Sequence, residues 1–221
     1  MTIKVILDGK EETRDVPTSW DQVTYNQFQR LDKAEPLEVL SALWDIDKEI
    51  LKRAKIKGFD QVAFMLSFVK TPVDVVTVPQ KIAGYEVSKD LRFDEIGRYW
   101  DIKMIYDSFI TPDNKYAPDL RKFPEIVAIA VMPNYLDAKK DEQEAFIQKM
   151  GKQPCGEVLA IANFCLTKLF LLNMNTGQNL SPTNTAKKKW RLAIQNWYRN
   201  LAITVRLWLW RRKHLSTATK S

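Results

Sequence analysis

Acidic residues stop early: in a chain of 221 residues, no Asp or Glu follows Glu157. The one histidine, His214, lies inside that acid-free stretch, so no histidine-based triad, metal site or general base can be assembled elsewhere. Cysteine is scarce as well. Cys155 and Cys165 stand ten positions apart, the second inside an apolar run, which predicts two reduced, inert thiols and neither a disulfide nor a metal knuckle. Among only seven glycines there is no GxxxxGK[ST] or GxGxxG run, and the shortage argues against a sheet built from many tight turns and for helices. The most membrane-like stretch, Val158 to Leu172, is interrupted by Asn163, Thr167 and Lys168. It falls short of the about twenty apolar residues that a bilayer core requires, so it reads as a buried core helix and a membrane partner is not expected.

What is present is divided unevenly. The chain carries 34 Lys and Arg against 27 Asp and Glu, and eleven of those cations follow Glu157. The remainder, 23 basic against 27 acidic residues, gives a body near −4 and a tail of +11 behind the net charge of +7. Four of the seven tryptophans, Trp190, Trp197, Trp208 and Trp210, also lie in the tail. A segment both cationic and aromatic is expected to dock onto something.

Along the body, Ile3 to Leu7, Asp8-Gly9 and an extended stretch to Val16 predict a β-hairpin with a type I′ turn. Thr24 and Gln27 form a capping-box pattern, with Val23 and Phe28 at the positions of a hydrophobic staple, so a helix is expected to start at Tyr25. Leu37, Leu40, Leu43 and Trp44 predict a second helix after Pro36, and Ile46, Ile50 and Ala54 a third, with Lys52, Arg53 and Lys55 outward. Phe59 to Val69 reads as helix stopped by Pro72, and Val73 to Val78 with Ile82 to Val87 as a second hairpin turning at Pro79 to Lys81. Further helices are expected over Phe93 to Phe109, marked by Ile96, Tyr99, Trp100, Met104 and Phe109, over Phe123 to Met132, and over Ala138 to Met150. Gly151 to Gly156 should break the chain before the Val158 helix.

The expected fold class is therefore mainly α: a helical body over residues 1–172 with two small β-hairpins, a linker over 173–186, a basic Trp-rich helix over 187–214 and a flexible terminus over 215–221. In that last helix Trp190, Ile194, Trp197, Leu201, Val205 and Trp208 recur every three or four residues and form the candidate partner-docking stripe. The candidate basic contact face is Lys187, Lys188, Lys189, Arg191, Arg199, Arg206, Arg211, Arg212 and Lys213. A nucleic-acid binder would use these cations on phosphates and stack Trp on unpaired bases, but most of the tryptophans lie opposite the cations. A membrane-surface helix would have the right amphipathicity without a second anchor. A protein-docking helix uses both faces, the Trp stripe in a groove and the cations against an acidic rim. Closure of the chain's own core by the same stripe stays open beside these.

The carboxylate pairs Asp45 with Asp47 and Asp94 with Glu95 have no third ligand or nucleophile at a useful spacing and read as helix ends and caps. No catalytic residue, cofactor or metal is expected. Met1 to Lys4 leads into a strand pattern and not an apolar signal region, which predicts a protein that stays in the cytoplasm where it is made.

Two phrases carry a resemblance: Val16-Pro17-Thr18-Ser19-Trp20-Asp21-Gln22-Val23-Thr24 with Gln27-Phe28, and Phe123-Pro124-Glu125-Ile126-Val127-Ala128-Ile129 followed by Ala162-Asn163-Phe164. Together they resemble the small structural or tail-assembly, chaperone-like proteins of tailed bacteriophages, over residues 1 to 172. Cys165 stands where that group has a second aromatic, and the Trp-rich tail is outside its pattern. The resemblance implies a non-enzymatic protein acting through contacts with other phage structural proteins or sister subunits, made in the host cytoplasm and placed in the virion or used during tail building. The alternative from a different class is a nucleic-acid-binding protein whose basic aromatic tail lies on packaged genome.

Overall fold

The computed structural model describes residues 2–7, 10–31, 35–56, 66–73, 75, 77–88, 95–111 and 116–175. The expected Asp8-Gly9 turn, most of the expected 59–69 helix, the 187–214 helix and the 215–221 terminus lie outside the described residues. The fold is mainly α with small antiparallel sheets. It divides into two compact units, one from Met1–Val23 with Gln27–Val73, the other from Thr24–Asn26 with the described residues after Val73.

In the first unit β1 (Thr2–Leu7) pairs antiparallel with β2 (Lys10–Asp15), in register from Thr2 opposite Asp15 to Leu7 opposite Lys10. The expected hairpin is there, but the sheet has a third member. Residues Lys55–Ile56 form β3 on the other edge of β1, with Val5 opposite Ile56 and Ile6 opposite Lys55. Lys55 therefore belongs to a strand and not to the outer face of the third helix. A two-residue strand has no period to read, and only the long-range pairing defines it. Trp20 is the hub of this unit. Its indole Nε1 donates to the Thr71 carbonyl at 2.8 Å, and its ring meets Phe28 and Phe68 edge-on at centroid distances of 5.9 and 5.2 Å. That contact fastens the 3-10 turn Leu66–Lys70 to the chain ahead of the first helix.

Helix α1 (Tyr25–Gln29) starts where the capping box places it, with Val23 and Phe28 both buried, and Gln27 Nε2 donates to the Leu43 carbonyl at 3.1 Å. Helix α2 (Pro36–Trp44) opens on Pro36, whose missing N–H costs nothing there, and Glu35 N donates to Glu38 Oε2 at 2.8 Å. Asp45 ends it at φ 52, and Asp47 caps α3 (Lys48–Arg53) by accepting from Glu49 N at 2.8 Å. This carboxylate pair is a helix stop followed by a helix start.

The second unit is built on α5 (Phe123–Val131), buried along eight of its nine residues and packed against α4 (Ile96–Ser108), α6 (Lys140–Gly151) and α7 (Cys155–Asn175). Residues 24–26 are sewn into it: Tyr25 N donates to the Gln153 carbonyl at 2.9 Å, Tyr25 Oη donates to the Leu120 carbonyl at 2.8 Å, and the ring stacks on Phe123 at 6.4 Å. Gly151 and Gly156 are helical; the break between α6 and α7 is confined to Lys152, Gln153 and Pro154. A helical glycine at 151 has a local reason, because a Cβ there would lie 2.2 Å from Asn26 Oδ1. No described helix is long and apolar enough to cross a membrane. Both cysteines of α7 are buried and neither is in a disulfide, and burial pushes the Cys165 thiol up to about 12.

The second hairpin is shorter than expected and its turn is elsewhere. Residues Lys81–Ile82 (β4) and Tyr85–Glu86 (β5) pair around Ala83 and Gly84, and Val73, Val75 and Val78 are not in strand. Positive φ at both turn residues, 51 at Ala83 and 88 at Gly84, is the type I′ geometry, so Gly84 and not Pro79 is the signal. Tyr85 then packs edge-on against Phe146 of α6 at 4.8 Å, under Lys149 Nζ at 4.6 Å. Alanine is a poor residue for positive φ, whereas asparagine before glycine is favoured. Ala83→Asn is expected to stabilise the protein by about 0.5–1 kcal/mol in urea unfolding, and Gly84→Ala to destabilise it by a similar amount.

Candidate docking surface

Helix α4 turns the face that its sequence hides towards water. Its buried positions are Arg98, Ile102 and Ile105, with Phe109 just past its end, whereas Ile96, Trp100 and Met104 are 72%, 52% and 69% exposed. Of the apolar residues that mark this helix in the sequence, Phe109 is in the core and Ile96, Trp100 and Met104 are not. The spacing i, i+4, i+8 places those three in one row along the outer face.

An arginine is what rotates the helix. Arg98 is 2% exposed, lies across the Tyr135 ring at 5.9 Å, is paired through Nε with Glu95, and donates through Nη1 to the carbonyl of Ile129. That carbonyl needs an outside donor, because the residue four positions on is Pro133, which has no N–H. Arg98 thus supplies both a hydrogen bond and a cation at the C-terminal end of α5, where the helix dipole favours positive charge. Its Nη2 is buried without a partner among the described residues.

Gly97 lets a neighbour close in. A Cβ at Gly97 would stand 2.8 Å from Leu136 Cδ1, so the Leu136 side chain, 45% exposed, lies against α4 and widens the apolar row. Carboxylates flank the row. Asp101 has no cation partner among the described residues, and burial together with the nearby Glu125 carboxylate raises its pKa above the ordinary Asp value. Glu125 is held by Lys122 at 2.8 Å. The Tyr135 hydroxyl is also raised, by burial and then by Asp101 and Glu125. On the other flank Lys103 pairs with Asp107 and reaches to 5.9 Å from the Trp100 ring centroid. Asp137, beside Leu136, is exposed.

None of the site residues read from the sequence can be placed here. Trp190, Ile194, Trp197, Leu201, Val205 and Trp208, and the basic residues Lys187, Lys188, Lys189, Arg191, Arg199, Arg206, Arg211, Arg212 and Lys213, all lie outside the described residues. The row on α4 was missed because a helical wheel scores Arg98 as a surface residue; the pairing of Arg98 with a carbonyl four residues before Pro133 is the signal that could have found it. No cluster of three or more metal-ligating side chains occurs among the described residues. No protein-family model, curated protein or solved structure matches the chain.

Removing the arginine should expose its purpose. Arg98→Met leaves the Ile129 carbonyl buried and unpaired, and is expected to lower unfolding free energy by about 2–4 kcal/mol in chemical denaturation. Asp101 gives the opposite sign. Its folded pKa is raised, so its charged form weakens the fold above that pKa and the penalty is relieved as pH falls through it. Asp101→Asn is therefore expected to be more stable than the parent at pH 7. The gap should close as pH falls through the raised pKa towards the ordinary Asp value, read from urea midpoints across a pH series.

Proposed function

We propose that this is a non-enzymatic structural or assembly protein of a tailed bacteriophage, made in the host cytoplasm and acting through protein–protein contacts with other phage structural proteins or sister subunits. The observation that carries the reading is the row Ile96, Trp100 and Met104, exposed on a helix whose opposite face is locked into the core by Arg98. Single exposed apolar residues are ordinary, but an aligned row with Trp at its centre and polar groups at its margins has the make-up of an interface. A rigid helix also lowers the ordering cost of docking. The resemblance of two phrases to phage tail-assembly proteins supports the biological setting, and the cationic Trp-rich tail supports a second contact.

The tail's eleven cations without an acid favour one other reading, binding to nucleic acid. The two are separated by measuring both on the full chain. Sedimentation of the full chain with purified tail proteins of its source phage is expected to show a complex that Trp100→Lys weakens at least about tenfold, as loss of an interface hot spot does. Sub-micromolar binding of DNA or RNA at about 0.15 M salt, lost in the Lys187, Lys188 and Lys189 triple alanine variant, would replace assembly with the nucleic-acid reading.

A further inference from the structure

We propose that the α4 row seats a basic amphipathic helix of a partner protein, its apolar stripe on Ile96, Trp100 and Met104 and a Lys or Arg at the Asp101 edge. The inference rests on the contact-protein reading above and names the chemistry of the partner. Shape and backbone chemistry select a helix. The row runs along the thirteen residues of α4, about 20 Å, with a side chain about every 6 Å, the spacing of a ridge that fits the groove of a second helix. An extended segment laid there would bury N–H and C=O groups against apolar side chains with nothing to pair them, because the backbone of α4 is used within its own helix. A helix brings its backbone already paired.

Charge selects the sign of that helix. At about 100° per residue, Gly97 and Asp101 fall on one edge of the row and Lys103 on the other. Leu136 lies against Gly97 and so shares the Asp101 edge, and the carboxylates of Asp101 and Glu125 both act on the hydroxyl of Tyr135, the residue before it. Asp137 follows Leu136 and is exposed. The nearby cations are already engaged, Lys103 with Asp107 and Lys122 with Glu125. Asp101 and Asp137 have no cation among the described residues. Asp101 is also partly withdrawn from water beside Glu125, so a cation brought to it relieves repulsion and gains more than at a fully solvated carboxylate.

The same edge argues against a second copy of α4 as the occupant. In an antiparallel pair about Trp100 the carboxylate edge meets itself, and in a parallel pair it meets Lys103, which Asp107 already holds. Neither arrangement supplies a free cation. A partner helix with Lys or Arg beside its apolar stripe answers both the row and the edge.

The test reads this face alone. The full chain with benzoylphenylalanine replacing Met104 is irradiated beside either of two synthetic peptides of about fifteen residues, each stapled to hold the helix. Both carry Leu at i, i+4 and i+8, and they differ only in having Lys or Glu at the flanking positions. Adducts at position 104 are measured by mass spectrometry. The Lys helix is expected to give at least about tenfold more adduct than the Glu helix at low salt, a difference that shrinks at about 0.5 M salt. Asp101→Lys and Asp137→Lys together should reverse the order, and Trp100→Lys should lower the yield of both at least about tenfold. Equal yields, a preference for the Glu helix in the parent chain, or no adduct with either would each overturn the basic-helix partner. So would adducts that join two copies, or that reach another part of the same chain, in place of the helix. Sedimentation with the tail proteins, run on the same protein, keeps the two ideas apart. A complex that forms while the two helices react alike overturns the basic partner alone, and absence of any complex overturns the contact-protein reading itself.

Discussion

The guanidinium of Arg98 decides how the second unit is put together. A helical carbonyl four residues before a proline has no backbone donor to meet it, and Pro133 does this to Ile129 inside a helix buried on nearly every side. Water does not reach that carbonyl, so some other group has to. The answer is a long cationic side chain from α4, laid over Tyr135 and steadied by Glu95. Once that position is fixed at the core, the rest of α4 follows by helical geometry: Ile102 and Ile105 go inward with Arg98, and Ile96, Trp100 and Met104 go outward. A backbone deficit in one helix thereby sets the surface chemistry of another.

The first unit depends on a comparable device, a side-chain N–H given to a distant carbonyl, supplied here by an uncharged ring. Trp20 buries a large ring and spends its one N–H on the Thr71 carbonyl, so a residue of the N-terminal stretch holds a segment fifty-one positions away. Around it the helices start and stop on local chemistry: Glu35 with Glu38, Asp45 in the left-handed region, Asp47 at the next N-terminus. Such local caps are legible in a sequence because cause and effect lie within four residues of each other. For the same reason the start at Tyr25, the helix after Pro36 and the first hairpin could be read directly.

The features that could not be read are those fixed by partners far away in the chain. Lys55–Ile56 becomes strand only because β1 offers an edge, and nothing in two residues announces this. The second hairpin was placed at the more conspicuous proline, whereas the turn depends on backbone sign, for which Gly84 is the informative residue. On α4, counting apolar residues gives a helix but does not choose its buried face, because Arg98 goes inward to answer a buried carbonyl while Ile96, Trp100 and Met104 stay outside. The resemblance to phage proteins speaks to setting and not to geometry, and the tail stripe stands on periodicity alone.

One consequence of the sewn-in segment at residues 24–26 concerns the order of synthesis. The chain belongs to one unit up to Val23, lends three residues to the other, and resumes the first at Gln27. Tyr25 has its backbone partner at Gln153 and its hydroxyl partner at Leu120, so it leaves the ribosome well before either exists. At about 5–20 residues per second, it waits on the order of ten seconds for Gln153 to be made. During that interval the first unit can mature around a residue it will not keep, and the second cannot close. The protein thus has no clean cut point: a fragment beginning after Val73 would be born without the side chain that fills the space beside Phe123.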